Sequence, residues 1–209
     1  MTQLSLAPEI GRPPKETVHK SLARLRGAAR QLFVAHGYHN TRPQDIARAA
    51  GVANGTFYLH FTDKQQAFLD FAEQAQNELL AVMSERLQLV TGRRERWQET
   101  IGALVDFSAD HPGLLQAAFI DPVFIAPHDD RAWHMYERLG RLVSVALAEE
   151  VSANDYDLAL ISHGICGLLR HAMTYAARSE LDRQKMIEDI SRFIDNGLGR
   201  TDAEGREKI

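Results

Sequence analysis

The sequence predicts an all-α protein: an N-terminal three-helix helix-turn-helix head followed by a larger helical bundle. Three observations carry the prediction. Apolar residues recur three and four apart over long stretches punctuated by Gly or Pro, and the strict alternation of half-buried strands is scarce. The third is the segment from Gly37 to Lys64, which reads as two short helices hinged at Gly51. With 209 residues the chain can bury a sizeable core, as one large domain or two smaller ones. The expected organisation is a flexible arm over 1–18, a head over 19–79, a bundle over 80–200 and a charged tail over 201–209. No internal repeat stands out.

Taken in order, the arm holds Pro8, Gly11, Pro13 and Pro14. Its Gly11-Arg12-Pro13-Pro14-Lys15 is similar to short Arg-Pro cores that enter narrow minor grooves, although a plain flexible tail is the simpler reading. A helix over about 21–36 places Leu22, Leu25, Ala29, Leu32 and Phe33 on one stripe to cover the helix-turn-helix. Thr41 is the expected N-cap of the next helix, with Gln44 completing a capping box and Pro43 in the first turn. Ile46, Ala47 and Ala50 form its buried face, and Gly51 takes the left-handed conformation that ends it. The second short helix, about 54–61, packs through Phe57 and Phe61. Asn54, Gly55, Thr56, Tyr58, Leu59 and His60 then face outward in a row that suits a major groove.

Charge supports a nucleic-acid partner for this region. Between Arg12 and Lys64 there are nine Lys/Arg against three Asp/Glu, a balance of +6, whereas the whole chain carries −4 and the remainder therefore −10. A duplex attracts such a head through counterion release.

The run Gly37-Tyr38…Thr41…Asp45-Ile46-Ala47…Ala50-Gly51-Val52…Gly55-Thr56-Phe57-Tyr58…His60-Phe61…Lys64 resembles the DNA-binding head of the TetR family of transcriptional regulators. The likeness is close over roughly the first eighty residues; beyond them only length and helical pattern agree. It implies that Asn54, Gly55 and Thr56 meet base edges, and that Thr41, Arg42, Tyr58, His60 and Lys64 meet phosphates. Where the family commonly has a further Thr after Thr41, this chain has Arg42-Pro43.

In the bundle, a helix over about 64–90 opens after Asp63 and carries Phe68, Phe71, Ala75, Leu79 and Val82 inward. Further helices are expected over about 96–110, 114–119, 129–149, from Ser152 or Asn154 to about 178, and from 183 to Leu198. Asp121–Pro127 reads as an apolar loop bounded by prolines. The last two long helices are the most apolar, and Gly164 and Gly167 permit close approach. They are expected to form a two-fold homodimer interface that spaces the two heads for a pseudo-palindromic operator in double-stranded DNA, as the family resemblance also implies.

Phe107, Phe119, Phe124, Trp133, Tyr136, His163, Cys166, Arg170 and Met173, with Tyr175, are candidates to surround a small-molecule pocket. His163, Cys166 and Arg170 share one helix face, and a buried Arg170 would need an anion. His128, Asp129, Asp130 and His134 have the residue types of a divalent-metal cluster but lie short of a full ligand set, so no metal or other cofactor is assigned. Cys166 is the only cysteine, which rules out an intrachain disulfide. No phosphate-binding Gly-rich loop, Gly-x-Ser-x-Gly elbow or His-Glu-x-x-His helix is present, so no catalytic residue is assigned and an enzyme is not expected. A hydrolase built on Cys166 and His163 ranks below a ligand-free architectural DNA binder as an alternative. The absence of a long apolar span or signal-like leader points to a cytoplasmic protein without a membrane partner. Together these readings predict a ligand-responsive regulator, most simply a repressor released by an apolar or amphipathic effector.

Overall fold

The computed structural model describes residues 15–115, 125–148, 157–176, 178–179 and 181–198. Among these residues there are eight helices and no strand. They are α1 (Lys15–His36), α2 (Pro43–Ala49), α3 (Asn54–His60), α4 (Lys64–Leu87), α5 (Arg93–Asp110), α6 (Asp130–Ala148), α7 (Leu158–Ala176) and α8 (Arg183–Gly197). The chain divides into two compact units, Met1–Ala67 and Phe68–Ile209. That division comes before the boundary at 79 expected from sequence, because α4 spends most of its length on the second unit.

In the first unit, α1 begins at Lys15, inside the expected arm. Between Pro14 and Gly27 no Pro or Gly interrupts helical backbone, so the periodic stripe extends upstream. Leu25, Ala28, Ala29 and Phe33 of α1 are buried, as are Ile46, Ala47, Ala50, Phe57 and Phe61. Gly37 ends α1 at φ +73° and its N–H bonds to the Phe33 carbonyl at 2.9 Å. Gly51 ends α2 at φ +61°, with Val52 N–H to Ala47 O and Gly51 N–H to Arg48 O, both 3.0 Å. This is the paired 6→1 and 5→2 closure of a Schellman motif. A side chain at 51 would also strike the Arg24 guanidinium, which donates to the Gly51 carbonyl at 2.9 Å.

One local expectation is corrected here. The N-cap of α2 is Arg42, with Pro43 at the first helical position, and no side chain caps the helix. Thr41 is 1% exposed, and its hydroxyl lies 2.8 Å from the Gly37 carbonyl and 3.2 Å from that of Leu32. Its hydroxyl ties down the α1–α2 turn instead of capping the next helix.

In the second unit, α6 packs along α7 while α5 packs on α8 and α7. Polar pairs join α4 to α6: Gln76 donates to the Met135 carbonyl at 3.1 Å, Arg138 to Asn77 at 2.6 Å, and Arg131 to Glu73. Asp106 of α5 accepts from Arg86 of α4 and Arg183 of α8, each at 2.8 Å. Burial pushes the Asp106 carboxyl up, but the bonds from Arg183 and Arg86 outweigh it and hold its pKa below the ordinary value. Asp182 caps α8, accepting from Lys185 N–H at 2.8 Å. Of the expected helix over 114–119 only Leu114 and Leu115 are described, both helical, and most of the 121–127 loop falls outside the described residues.

Candidate nucleic-acid interface and body cavity

The outward row of α3 follows from two buried aromatics. Phe57 is fully buried and Phe61 nearly so, their rings 5.4 Å apart, which fixes the rotation of the helix about its axis. Asn54, Gly55, Tyr58 and Leu59 are exposed, and Thr56 is half-buried. Of the three residues predicted to meet base edges, Asn54 and Gly55 lie open and Thr56 stands at the margin of the row.

The predicted phosphate set is divided. Tyr58 and Arg42 are exposed, Arg42 in an ion pair with Asp45 at 2.9 Å that Arg48 joins from the other side at 3.3 Å. Thr41 leaves the set, since both the burial and the carbonyl partners of its hydroxyl turn it inward. His60 faces inward in part: its Nε2 lies 2.8 Å from Ser21 Oγ, which itself donates to the Val18 carbonyl at 2.9 Å. With the serine proton committed to that carbonyl, the imidazole Nε2 is the donor. Burial lowers the His60 pKa and favours the neutral ring, so it contributes a strut rather than a cation. Lys64 Nζ donates to the Tyr38 carbonyl at 2.9 Å and sits 4.2 Å over the Tyr38 ring, using one of three ammonium donors.

The second unit contains a partly open cavity of about 210 Å³. Its walls are mostly apolar, from Leu80 and Met83 of α4, Leu104 of α5, Leu139, Leu142 and Val143 of α6, and Leu169 and Met173 of α7. Thr100, Ser108, Thr174, Arg170 and Arg178 add the polar groups. Of the predicted lining, Cys166, Arg170 and Met173 belong to it. Burial pushes the Cys166 thiol up to about 11, which keeps it protonated at neutral pH.

Several described candidates do not line the cavity. Phe107 is buried against His111, rings 4.6 Å apart. Trp133 is 44% exposed and donates to the Pro127 carbonyl at 2.7 Å. His163 donates from Nδ1 to the Ala159 carbonyl at 2.8 Å and packs on Gly140, with the Tyr136 ring 4.9 Å away. Tyr175 is exposed. Aromatic identity marked Phe107, Trp133 and Tyr175, and a shared face with Cys166 marked His163, but the side chains lie on other faces. Phe119 and Phe124 lie outside the described residues. The lining residues missed from sequence are mostly aliphatic, with Thr100, Ser108, Thr174 and Arg178 among the polar ones, and they carry no signal beyond amphipathic spacing. Asp129, one of the candidate metal ligands, accepts from Arg131 N–H at 2.9 Å at the start of α6. Among the described residues no three His, Cys, Asp or Glu side chains gather in a way that could hold a metal. No described helix is long and apolar enough to cross a membrane.

The fold and the row on α3 define a helix-turn-helix DNA-binding head attached to a helical body. Residues 25–70 match the family described as bacterial regulatory proteins, tetR family. It is 31% identical over 80 residues to the HTH-type transcriptional activator FasR of Mycolicibacterium smegmatis, covering 38% of this chain and 36% of that protein. It is 24% identical over 173 residues to the HTH-type transcriptional regulator YerO of Bacillus subtilis, covering 78% and 58% respectively. The matches thus span between about a third and three fifths of these relatives' own lengths. Among solved structures, the transcriptional regulator FadR of Bacillus subtilis in complex with stearoyl-CoA aligns with a TM-score of 0.70 at 17% identity, over 85% of this chain and all of that one. The FadR of Bacillus halodurans aligns with a TM-score of 0.69 at 20% identity, over 94% and 100%.

Proposed function

We propose that this chain is a DNA-binding transcriptional regulator whose operator affinity responds to a small amphipathic molecule bound in the second unit. The observation that carries the reading is the pairing of an exposed α3 row on a TetR-type head with an apolar cavity that holds two guanidinium groups. The α3 row supplies side chains for the major groove, and the basic head supplies phosphate attraction. The cavity accepts an apolar tail along Leu80, Met83, Leu104 and Leu139 and offers Arg170 and Arg178 to an anionic head. The stearoyl-CoA bound by the Bacillus subtilis FadR has that build, an acyl chain joined to a phosphate-bearing head, and supports this ligand class here.

A homodimer through α7 and α8 completes the reading. Leu160 and Tyr175 on α7 and Phe193 on α8 are exposed, and side chains added at Gly164 or Gly167 would meet nothing in the protomer. An isologous pairing of these faces would bury them and set two heads on one pseudo-palindrome. Effector binding that shifts α4 would then weaken operator binding, with a coupling of about 1–3 kcal/mol. The simplest sense of the switch is repression relieved by the ligand.

The test begins with selection of bound duplexes from a random pool, followed by titration of the selected operator with and without stearate or stearoyl-CoA. Enrichment of a two-fold symmetric sequence and a roughly 5–150-fold loss of affinity with either probe are expected. Enrichment without any response to amphiphiles would leave an architectural DNA binder.

A further inference from the structure

Two residues of α3 are not explained by the fold of the first unit. At ~100° per residue, the buried Phe57 and Phe61 set the inward direction of the helix, and positions 55 and 59 fall on the ridge opposite. Exposure agrees: Leu59 is 73% exposed, against 48% for Tyr58 beside it. So large an apolar side chain held in water adds nothing to the core. Gly55, one turn earlier on the same ridge, is equally unaccounted for. Its φ is not positive, and a Cβ there would meet no atom within 4 Å, so neither backbone nor packing asks for glycine. Glycine weakens a helix relative to alanine, and the position is therefore held against local stability.

The two peculiarities make sense together, given the DNA-binding function proposed above, on which this inference rests. A helix of seven residues is ~10 Å long and lies within a major groove about 12 Å wide, so the whole ridge faces the groove floor. Without a side chain at 55 the helix can settle deeper, bringing the branched end of Leu59 to the base edges. The one apolar group on that floor is the 5-methyl of thymine. We infer that Leu59 is a specificity-determining residue that reads the methyl group of one thymine in each half-site, with Gly55 providing the clearance.

Replacing thymine by deoxyuridine removes that methyl and nothing else, which makes the test direct. From the selected operator, each thymine is replaced in turn and binding of the full chain is measured by fluorescence anisotropy for the unchanged protein, Leu59→Ala and Leu59→Met. The unchanged protein should lose about fourfold at one thymine per half-site, the factor expected from burying one methyl-sized group. Leu59→Ala should bind thymine and deoxyuridine operators alike at that position, and Leu59→Met should keep part of the preference. Because Leu59 is exposed, helical circular dichroism should be unchanged in both variants. The inference is overturned if no thymine in the consensus is sensitive to the replacement, or if Leu59→Ala keeps the full ratio or weakens every sequence equally. Selection that enriches no sequence overturns the DNA-reading assignment itself, a different outcome from an enriched operator indifferent to methyl groups.

Discussion

The two units use sequence in opposite ways. In the first, a few positions have fixed backbone tasks: Gly37 and Gly51 hold positive φ, Pro43 opens α2, and Phe57 with Phe61 sets the rotation of α3. In the second, long helices with ordinary backbone build a cavity from many interchangeable aliphatic residues. On the proposed reading, function in the head resides in the identity of single residues, whereas in the body it resides in a shape lined by two arginines. Substitutions should be felt accordingly: sharply and selectively in the head, gradually in the body.

The largest effect is expected from Gly51→Val. A β-branched residue at φ +61°, placed against Arg24, should cost the head about 1–3 kcal/mol in urea unfolding and abolish operator binding, while the cavity still takes up its ligand. Loss of both activities together would break the division of labour between the units. Next comes Arg170→Leu, which should lower affinity for an anionic amphiphile by about 1.5–3 kcal/mol and leave ligand-free DNA binding unchanged, as measured by calorimetry and anisotropy side by side. Equal affinity for stearate in both proteins would take the head-group role away from this arginine. Gly55→Ala should do something neither of these does: stabilise the head by about 0.5–1 kcal/mol while weakening DNA binding. A variant both firmer and tighter on DNA would remove the case for clearance at that position.

The smallest effect belongs to Asp106→Asn. Because the folded-state pKa of Asp106 lies below its ordinary value, its ion pairs stabilise the protein at pH above that ordinary value. The contribution is lost as pH falls through the lower, folded value. The asparagine variant should melt about 2–4 °C lower at most at neutral pH, and the gap should close in acid. A gap that persists below the ordinary aspartate range would mean that packing, not charge, is what Asp106 contributes.

The same contrast governs what the sequence could reveal. The helix-turn-helix was legible because Gly51, Val52 and the Phe57/Phe61 pair are forced by local geometry, and local geometry is written in short spacings. Thr41 shows where that reasoning slips. Thr41-x-x-Gln44 has the form of a capping box, yet Pro43 at the first helical position assigns the cap to Arg42, and the threonine hydroxyl finds carbonyls behind it. His60 slipped similarly, since its partner Ser21 lies 39 positions away and no spacing rule connects them. In the body, Cys166 and Arg170 line the cavity with Met173, whereas His163, expected to share their face of α7, packs on Gly140. Trp133 and Phe107 were misplaced because a bundle helix offers several buried or half-buried faces, and periodicity does not say which one borders empty space.

The perch of Lys64 on Tyr38 has one more consequence. A lysine side chain ordinarily surrenders about 2 kcal/mol of rotameric freedom when it is immobilised. Here that entropy is largely lost on folding, when the ammonium docks over the ring and onto the Tyr38 carbonyl. A phosphate arriving at the remaining two donors meets a charge already fixed in place. If Lys64 meets a phosphate as proposed, the cost of ordering this contact falls on folding rather than on recognition.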